Sequence, residues 1–271
     1  MDSWVDGQPA DALSLKDRGL AYGDGLFETI AVHNGKPVLL DRHLERLGKG
    51  CQRLAINLDH GAMYTELLAY AQALGEGVLK LIVTRGDGLR GYAPDPSAKG
   101  RRILQGNPPA AYPAANAEQG VRLFPCATRL SRQPLLAGLK HLNRLEQVIA
   151  RSEWQDCEHA EGLMLDQAGR VIEGVFSNLF LIRNGVLMTA DLKRCGVAGV
   201  MRAELLFQAE SLGIPTQITD ISLDQLQWAD EVFVCNSVYG VWPVHAYAAL
   251  SWSVGPLTRK LQTIARALLD A

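Results

Sequence analysis

The chain has 271 residues, of which 48% are hydrophobic and 21% charged, with a formal net charge of −2. That is a globular composition with room for two small domains, and it lacks the basic blocks that a nucleic-acid surface requires. The five cysteines, Cys51, Cys126, Cys157, Cys195 and Cys235, are scattered and form no C-x-x-C. This argues against a disulfide framework or a metal site and for a reducing compartment. The opening MDSWVDGQPADAL is acidic, so no signal peptide is expected, and no apolar run reaches bilayer length. A cytoplasmic protein with no membrane role is the expectation.

In chain order, Asp6-Gly7 and Asn34-Gly35 predict tight hairpins. Between them RGLAYGDGLFETIAVH reads as a glycine-rich loop running into a strand around Phe27–Val32. LLDRHLERLGKGCQRLAI has helical spacing, with Leu40, Leu44, Leu47 and Cys51 on one face. A second helix runs from Ala62 to Leu74 and stops at Gly75, and VLKLIVTRG follows as a buried strand. The Pro- and Ala-rich stretch 107–120 has no period and reads as an interdomain linker.

VRLFPCATRL then predicts a strand, and KHLNRLEQVIARSEW a helix that begins at Lys140 and turns Leu142, Leu145 and Ile149 to one side. GLMLDQAGRVIEGVFSNLFLIRNGVLMT is a strand meander with turns at 167–169 and 184–185. Gly199 opens a helix through Leu212, EVFVCNS is a buried strand, and LTRKLQTIARALL is a closing amphipathic helix. The fold class is α/β (α+β). The expected domains are residues 1–106, a linker at 107–120, and 121–271 carrying Lys140.

Four stretches hold candidate chemistry, and each has two readings. Lys140 is either a surface lysine whose apolar stem lies along the protein or a desolvated amine that attacks carbonyls. Glu173, among Val171, Ile172, Val175 and Phe176, is either an exposed strand carboxylate or a buried one that needs a cation such as a protonated pyridine nitrogen. Ser177 and Asn178 follow it as short polar groups able to fix a turn. Gly196 and Gly199 either punctuate a helix or open its N-terminus to an anion. Asn236 and Ser237 end an apolar strand, where ligand contacts commonly sit, and Arg46 adds a cation for a phosphate. A carbonyl-capturing lysine, a carboxylate for a pyridine nitrogen and an anion cradle are together what pyridoxal 5′-phosphate requires.

The order HLERL, KHLNRLEQ, EGVFSNLF, GVAGVMR and VCNS resembles the fold-type IV pyridoxal-phosphate enzymes over nearly the whole chain. That group, with a D-amino-acid aminotransferase-like two-domain architecture, holds the D-amino-acid and branched-chain aminotransferases and 4-amino-4-deoxychorismate lyase. KHLNRLEQV and TRGDGLRGYAP are similar to the lyase branch. The resemblance implies conversion of 4-amino-4-deoxychorismate to 4-aminobenzoate and pyruvate, a step toward folate, with an aminotransferase of the same fold as the alternative.

By the same resemblance Lys140 forms the Schiff base and serves as acid and base. Glu173 holds the pyridine nitrogen. Arg46, the backbone of Val200 and Met201, and Asn236 with Ser237 hold the phosphate, with Ser177 and Asn178 in support. Thr29 offers a substrate-side hydroxyl, Arg90 and Tyr92 meet the substrate, and loop 86–98 has the Gly and Pro content of a lid. His141 stands next to the lysine. A homodimer is implied.

Overall fold

The structure, a computed structural model, describes residues 2–270. Contacts divide the chain into two units, the first reaching Ala110 and including the short stretch Leu139–Asn143, the second formed by Ala111–Gly138 and Arg144–Asp270.

In the first unit the elements are β1 (Trp4–Val5), β2 (Gln8–Pro9), α1 (Arg18–Tyr22), β3 (Gly25–His33), β4 (Lys36–Pro37), α2 (Leu40–Leu54), α3 (His60–Leu74), β5 (Gly77–Thr84) and β6 (Arg101–Asn107). They build one sheet in the order β2-β1-β6-β5-β3-β4, with every pairing antiparallel. Asp6-Gly7 and Asn34-Gly35 form the expected hairpin turns, all four residues at positive φ.

Strand alternation divides this sheet into two different faces. Leu26, Glu28 and Ile30 of β3 stand opposite Val83, Leu81 and Leu79 of β5. Except for Glu28, these six side chains belong to one apolar core with Leu47, Cys51 and Leu67 of the two helices. Phe27 and Thr29 stand opposite Ile82 and Lys80 and are half-buried on the other face. Gly50 lets α2 lie close on β3, since a Cβ there would strike the Leu26 side chain.

The lysine segment departs from the sequence expectation. The helix runs only over Leu145–Arg151. Residues 140–142 are not helical and bridge to the start of β3, Phe27 N donating to Lys140 O at 2.9 Å and Leu142 N to Gly25 O at 3.0 Å. The first of these bonds occupies the Lys140 carbonyl, which a helix starting there would need for the amide of residue 144. The helical spacing of Leu145 and Ile149 also misleads, because both are mostly exposed. Lys140, expected within 121–271, groups instead with the first unit.

The second unit contains α4 (Ala114–Glu118), β7 (Val121–Leu130), α5 (Leu145–Arg151), β8 (His159–Asp166), β9 (Val171–Gly174), β10 (Asn178–Arg183), β11 (Val186–Ala190), α6 (Val200–Ser211), β12 (Thr216–Thr219), α7 (Leu223–Gln227), β13 (Glu231–Asn236), β14 (Gly240–Tyr247), β15 (Leu250–Ser251) and α8 (Pro256–Leu269). The stretch expected as a linker, 107–120, thus includes the last residue of β6 and all of α4.

Strands β10, β13, β14, β7, β8 and β9 pair in turn, and β9 pairs again with β10 through Glu173 and Asn178. Six strands therefore close into a ring, and closure removes the open edges of the sheet they form. Leu163, Leu179, Leu181, Val232, Val234 and Val244 of these strands share one buried cluster.

Leu81 sits fully buried opposite Glu28. Leu81→Ala is expected to cost about 2–5 kcal/mol, the usual range for a leucine core truncation. Urea denaturation of wild type and variant measures it.

Candidate active site

Lys140 is half-buried, with its Nζ 4.4 Å from the centre of the Phe27 ring. Lys80 Nζ lies 5.5 Å from the same ring. The strand that hydrogen-bonds the Lys140 backbone therefore also supplies the aromatic face against which its amine rests. Thr29 lies two residues along β3 and directly opposite Lys80. An ammonium, a hydroxyl and an aromatic ring thus share one sheet face.

The opposite face holds a buried charge cluster. Glu28 is 1% exposed and His43 fully buried. His43 Nδ1 donates to Glu28 Oε2 at 2.6 Å and Arg46 Nε donates to Oε1 at 2.8 Å, while Arg46 Nη2 also bonds Oε2. Burial alone would raise the Glu28 pKa, but the Arg46 charge and the bonds from His43 and Arg46 overrule it and hold the carboxyl at about 2. Burial lowers the His43 pKa and outweighs the bond and charge of Glu28, which raise it, with the Arg46 and Lys140 charges adding to the lowering. Arg46, expected at a phosphate, is thus oriented by a carboxylate from the strand that carries Phe27 and Thr29.

Loop 86–98 is tied to the rest of the first unit. Arg18 donates to the carbonyls of Gly91 and Tyr92 at 3.0 and 2.8 Å and to Asp24 Oδ2 at 2.9 Å. Arg85 donates to both Asp24 oxygens, and the Tyr22 and Tyr92 rings are 5.4 Å apart. Arg90 and Tyr92 themselves are exposed.

In the second unit Glu173 is 3% exposed, so its strand carboxylate is of the buried kind. Its Oε2 accepts from Val197 N at 2.8 Å and from Asn178 Nδ2 at 3.3 Å, and Asn178 Nδ2 also donates to Val197 O. The positive φ of Gly196 shapes the adjoining loop, where a Cβ would crowd Ile172 and Leu192. Gly199 has no room for a Cβ beside Asn178. No side chain caps α6, which starts at Val200 with Val200 and Met201 buried. An uncapped helix start preceded by a glycine is suited to an anion.

Asn236 serves its own turn. Its Oδ1 accepts from Val238 N and Tyr239 N at 2.9 Å each, and its Nδ2 donates to Phe176 O at 3.3 Å. Ser237 beside it is half-buried. Ser177 donates to Glu161, a fully buried carboxylate of β8.

The sequence reading missed Glu28, His43, Lys80 and Glu161. Glu28 was detectable, since alternation puts it with Leu26 and Ile30 on an apolar face. His43 was detectable too, one turn before Arg46 in HLERL. Glu161 gave no such signal, because its burial follows from the ring of strands.

The class IV aminotransferase family model matches residues 25–247. The chain belongs to this family. It is 38% identical over 267 residues to aminodeoxychorismate lyase of Vibrio harveyi, covering 96% of this chain and 97% of that one. The crystal structure of 4-amino-4-deoxychorismate lyase from Pseudomonas aeruginosa superposes with a TM-score of 0.98 at 64% identity, covering 99% of this chain and all of that one. A putative branched-chain-amino-acid aminotransferase of Methanocaldococcus jannaschii is 30% identical over 92% of this chain and 88% of its own.

The Glu28 cluster has a defined acid signature. A carboxyl held at about 2 when folded, against an ordinary 4.5, stabilises the fold above pH 4.5, and that stability is lost as pH falls toward 2. The gap is worth about 3 kcal/mol. Glu28→Gln is expected to be less stable than the parent at neutral pH and to lose less on acidification, as measured by urea midpoints from neutrality to acid pH.

Proposed function

We propose that this chain is a pyridoxal-phosphate-dependent lyase that converts 4-amino-4-deoxychorismate to 4-aminobenzoate and pyruvate. The observation that carries this reading is whole-chain similarity to the P. aeruginosa lyase at 64% identity.

The residues present suit the cofactor. Glu173 is a buried carboxylate matched to a pyridinium nitrogen, and the uncapped start of α6 at Val200 and Met201 is matched to a phosphate. Arg46, oriented by Glu28, adds a phosphate cation, with Asn236 and Ser237 shaping the turn that completes the anchor. Asn178 and Ser177 hold Glu173 and its turn. When bound, the cofactor supplies an electron sink for the carbon that carries the substrate's amino group.

The chain's own residues do the rest. Lys140 Nζ is the attachment amine and, once released, takes the proton from the amino-bearing ring carbon. The Phe27 ring face, 4.4 Å from Nζ, positions that amine on the sheet face that carries Thr29 and Lys80. Thr29 offers a hydroxyl on the substrate side. Lys80 and Arg90 are cations for the two substrate carboxylates, and Tyr92 flanks the second of them. The ether carbon–oxygen bond breaks, the ring becomes aromatic, and the abstracted proton balances the enol released as pyruvate. Loop 86–98, tethered by Arg18, is the candidate lid.

The protein is proposed to be a cytoplasmic homodimer. All five cysteines are free and four are buried, consistent with a reducing compartment. No described helix is long and apolar enough to cross a membrane. Leu145, Val148 and Ile149 form an exposed apolar stripe on α5, at 73%, 57% and 56% exposure, of the kind that marks a protein interface. Val148→Glu is expected to shift the sedimentation coefficient toward that of a monomer.

The deciding assay gives the cofactor-loaded protein 4-amino-4-deoxychorismate without any keto acid and follows 4-aminobenzoate by fluorescence. Equal amounts of 4-aminobenzoate and pyruvate are expected. Lys140→Ala is expected to lower turnover by about 10³-fold or more, and Arg90→Ala to raise KM more than it lowers kcat. Product formation only on addition of a keto acid would instead assign an aminotransferase.

A further inference from the structure

Glu161 is a buried titratable group that the proposed reaction does not use. No part of it reaches solvent. Its Oε1 accepts from Gly162 N at 2.8 Å and Val175 N at 2.9 Å, and its Oε2 from Ser177 Oγ at 2.7 Å and Phe176 N at 3.3 Å. Three of these four donors make up the turn 175–177, which joins β9 to β10. The two residues that close the ring of strands, Glu173 and Asn178, flank this turn. A Cβ on Gly174 would collide with both Ser177 Oγ and the Glu161 carboxyl, so the carboxylate and the hairpin are in direct contact.

We propose that Glu161 is a positioning residue for Glu173: as a carboxylate it fastens the turn that keeps Glu173 and Asn178 paired, and it loosens that turn on taking up a proton. The proposal rests on the reading that Glu173 serves the cofactor's pyridine nitrogen.

The chemistry of the four bonds explains the change. An ionised carboxylate only accepts, so all four donors are satisfied. A proton on Oε2 points at Ser177 Oγ, which must then turn its own hydrogen away, and the 3.3 Å bond from Phe176 N–H is left with a weaker, uncharged acceptor. The Tyr239 hydroxyl faces Ser177 and is placed to receive the redirected hydrogen. Burial outweighs the Ser177 and backbone bonds and pushes the Glu161 pKa up to about 7, so both states exist near neutrality. The titratable groups facing Glu161 are Cys126 from β7, Tyr112 ahead of α4, and Tyr239 in the β13–β14 turn. Burial raises the pKa of all three, so each stays neutral in this range.

Glu161→Gln imitates the protonated acid, with an oxygen for Gly162 and Val175 and an NH₂ toward Ser177 and Phe176. The test is the dissociation constant of pyridoxal 5′-phosphate for wild type and Glu161→Gln between about pH 5.5 and about pH 8.5, a span that brackets the carboxyl's titration. Taking the ratio of the two constants cancels titration of the cofactor itself and of Lys140. The ratio is expected near one at the acid end and about threefold or more at the alkaline end, with its midpoint near 7. A ratio that is constant across the range, whether one or larger, overturns the proposal, since a purely structural residue would act equally at every pH.

A second measurement uses the wild type alone. By linkage, if the ionised form favours the cofactor, saturating cofactor must lower the Glu161 pKa, by about 0.5 for a threefold ratio. The infrared band of the buried protonated carboxyl reports it, and an unchanged pKa overturns the proposal even if the variant does not fold. A wild type that binds no pyridoxal 5′-phosphate would refute the cofactor reading itself, a failure visible without any variant.

Discussion

The second unit depends on one pairing, Glu173 with Asn178, which closes six strands into a ring. It places an ionisable side chain at the seam of a β structure, nearly out of water. Burying such a group is unfavourable unless its oxygens are bonded. The neighbourhood is arranged around that need. Val197 N and the Asn178 amide bond Glu173 Oε2, while Gly196 and Gly199 keep Cβ atoms out of the adjoining loop. The helix that this loop starts has no side-chain cap. A requirement at one carboxylate thus shapes the loop, the helix start and the turn between two strands.

The two units meet the problem of a buried carboxylate differently. Glu28 is compensated by charge: a guanidinium and an imidazole surround it, and its pKa falls to about 2. Glu161 is compensated by backbone and hydroxyl donors, which carry only partial charge, and its pKa rises to about 7. A full positive charge close by outweighs desolvation, whereas neutral dipoles do so only in part. The first arrangement gives a permanently ionised anchor for Arg46. The second gives a group able to exchange a proton near neutrality.

The fold class and most elements were legible in the sequence, and so were the chemical parts of the site. The NG and DG hairpins, the α2 stripe, the β8–β11 meander and the α6 start all follow from local rules of spacing and backbone conformation. The lysine segment was misread because its leucines happen to repeat at helical spacing, whereas its backbone bonds to β3. Asn236 was legible as a polar residue ending a strand, but not as the acceptor for its own turn.

The sequence by itself determined which chemical groups this protein has: a lysine next to apolar residues, a glutamate in an apolar strand, an arginine on an amphipathic helix, and glycines before a helix start. Only the tertiary structure decided which of them are buried and what they bond. It placed Lys140 on the Phe27 ring, Arg46 on Glu28, and Glu161 on the turn that joins the strand of Glu173 to that of Asn178. Periodicity is a property of neighbouring residues, whereas desolvation and charge pairing are set by residues far apart in the chain, which only folding brings within bonding distance.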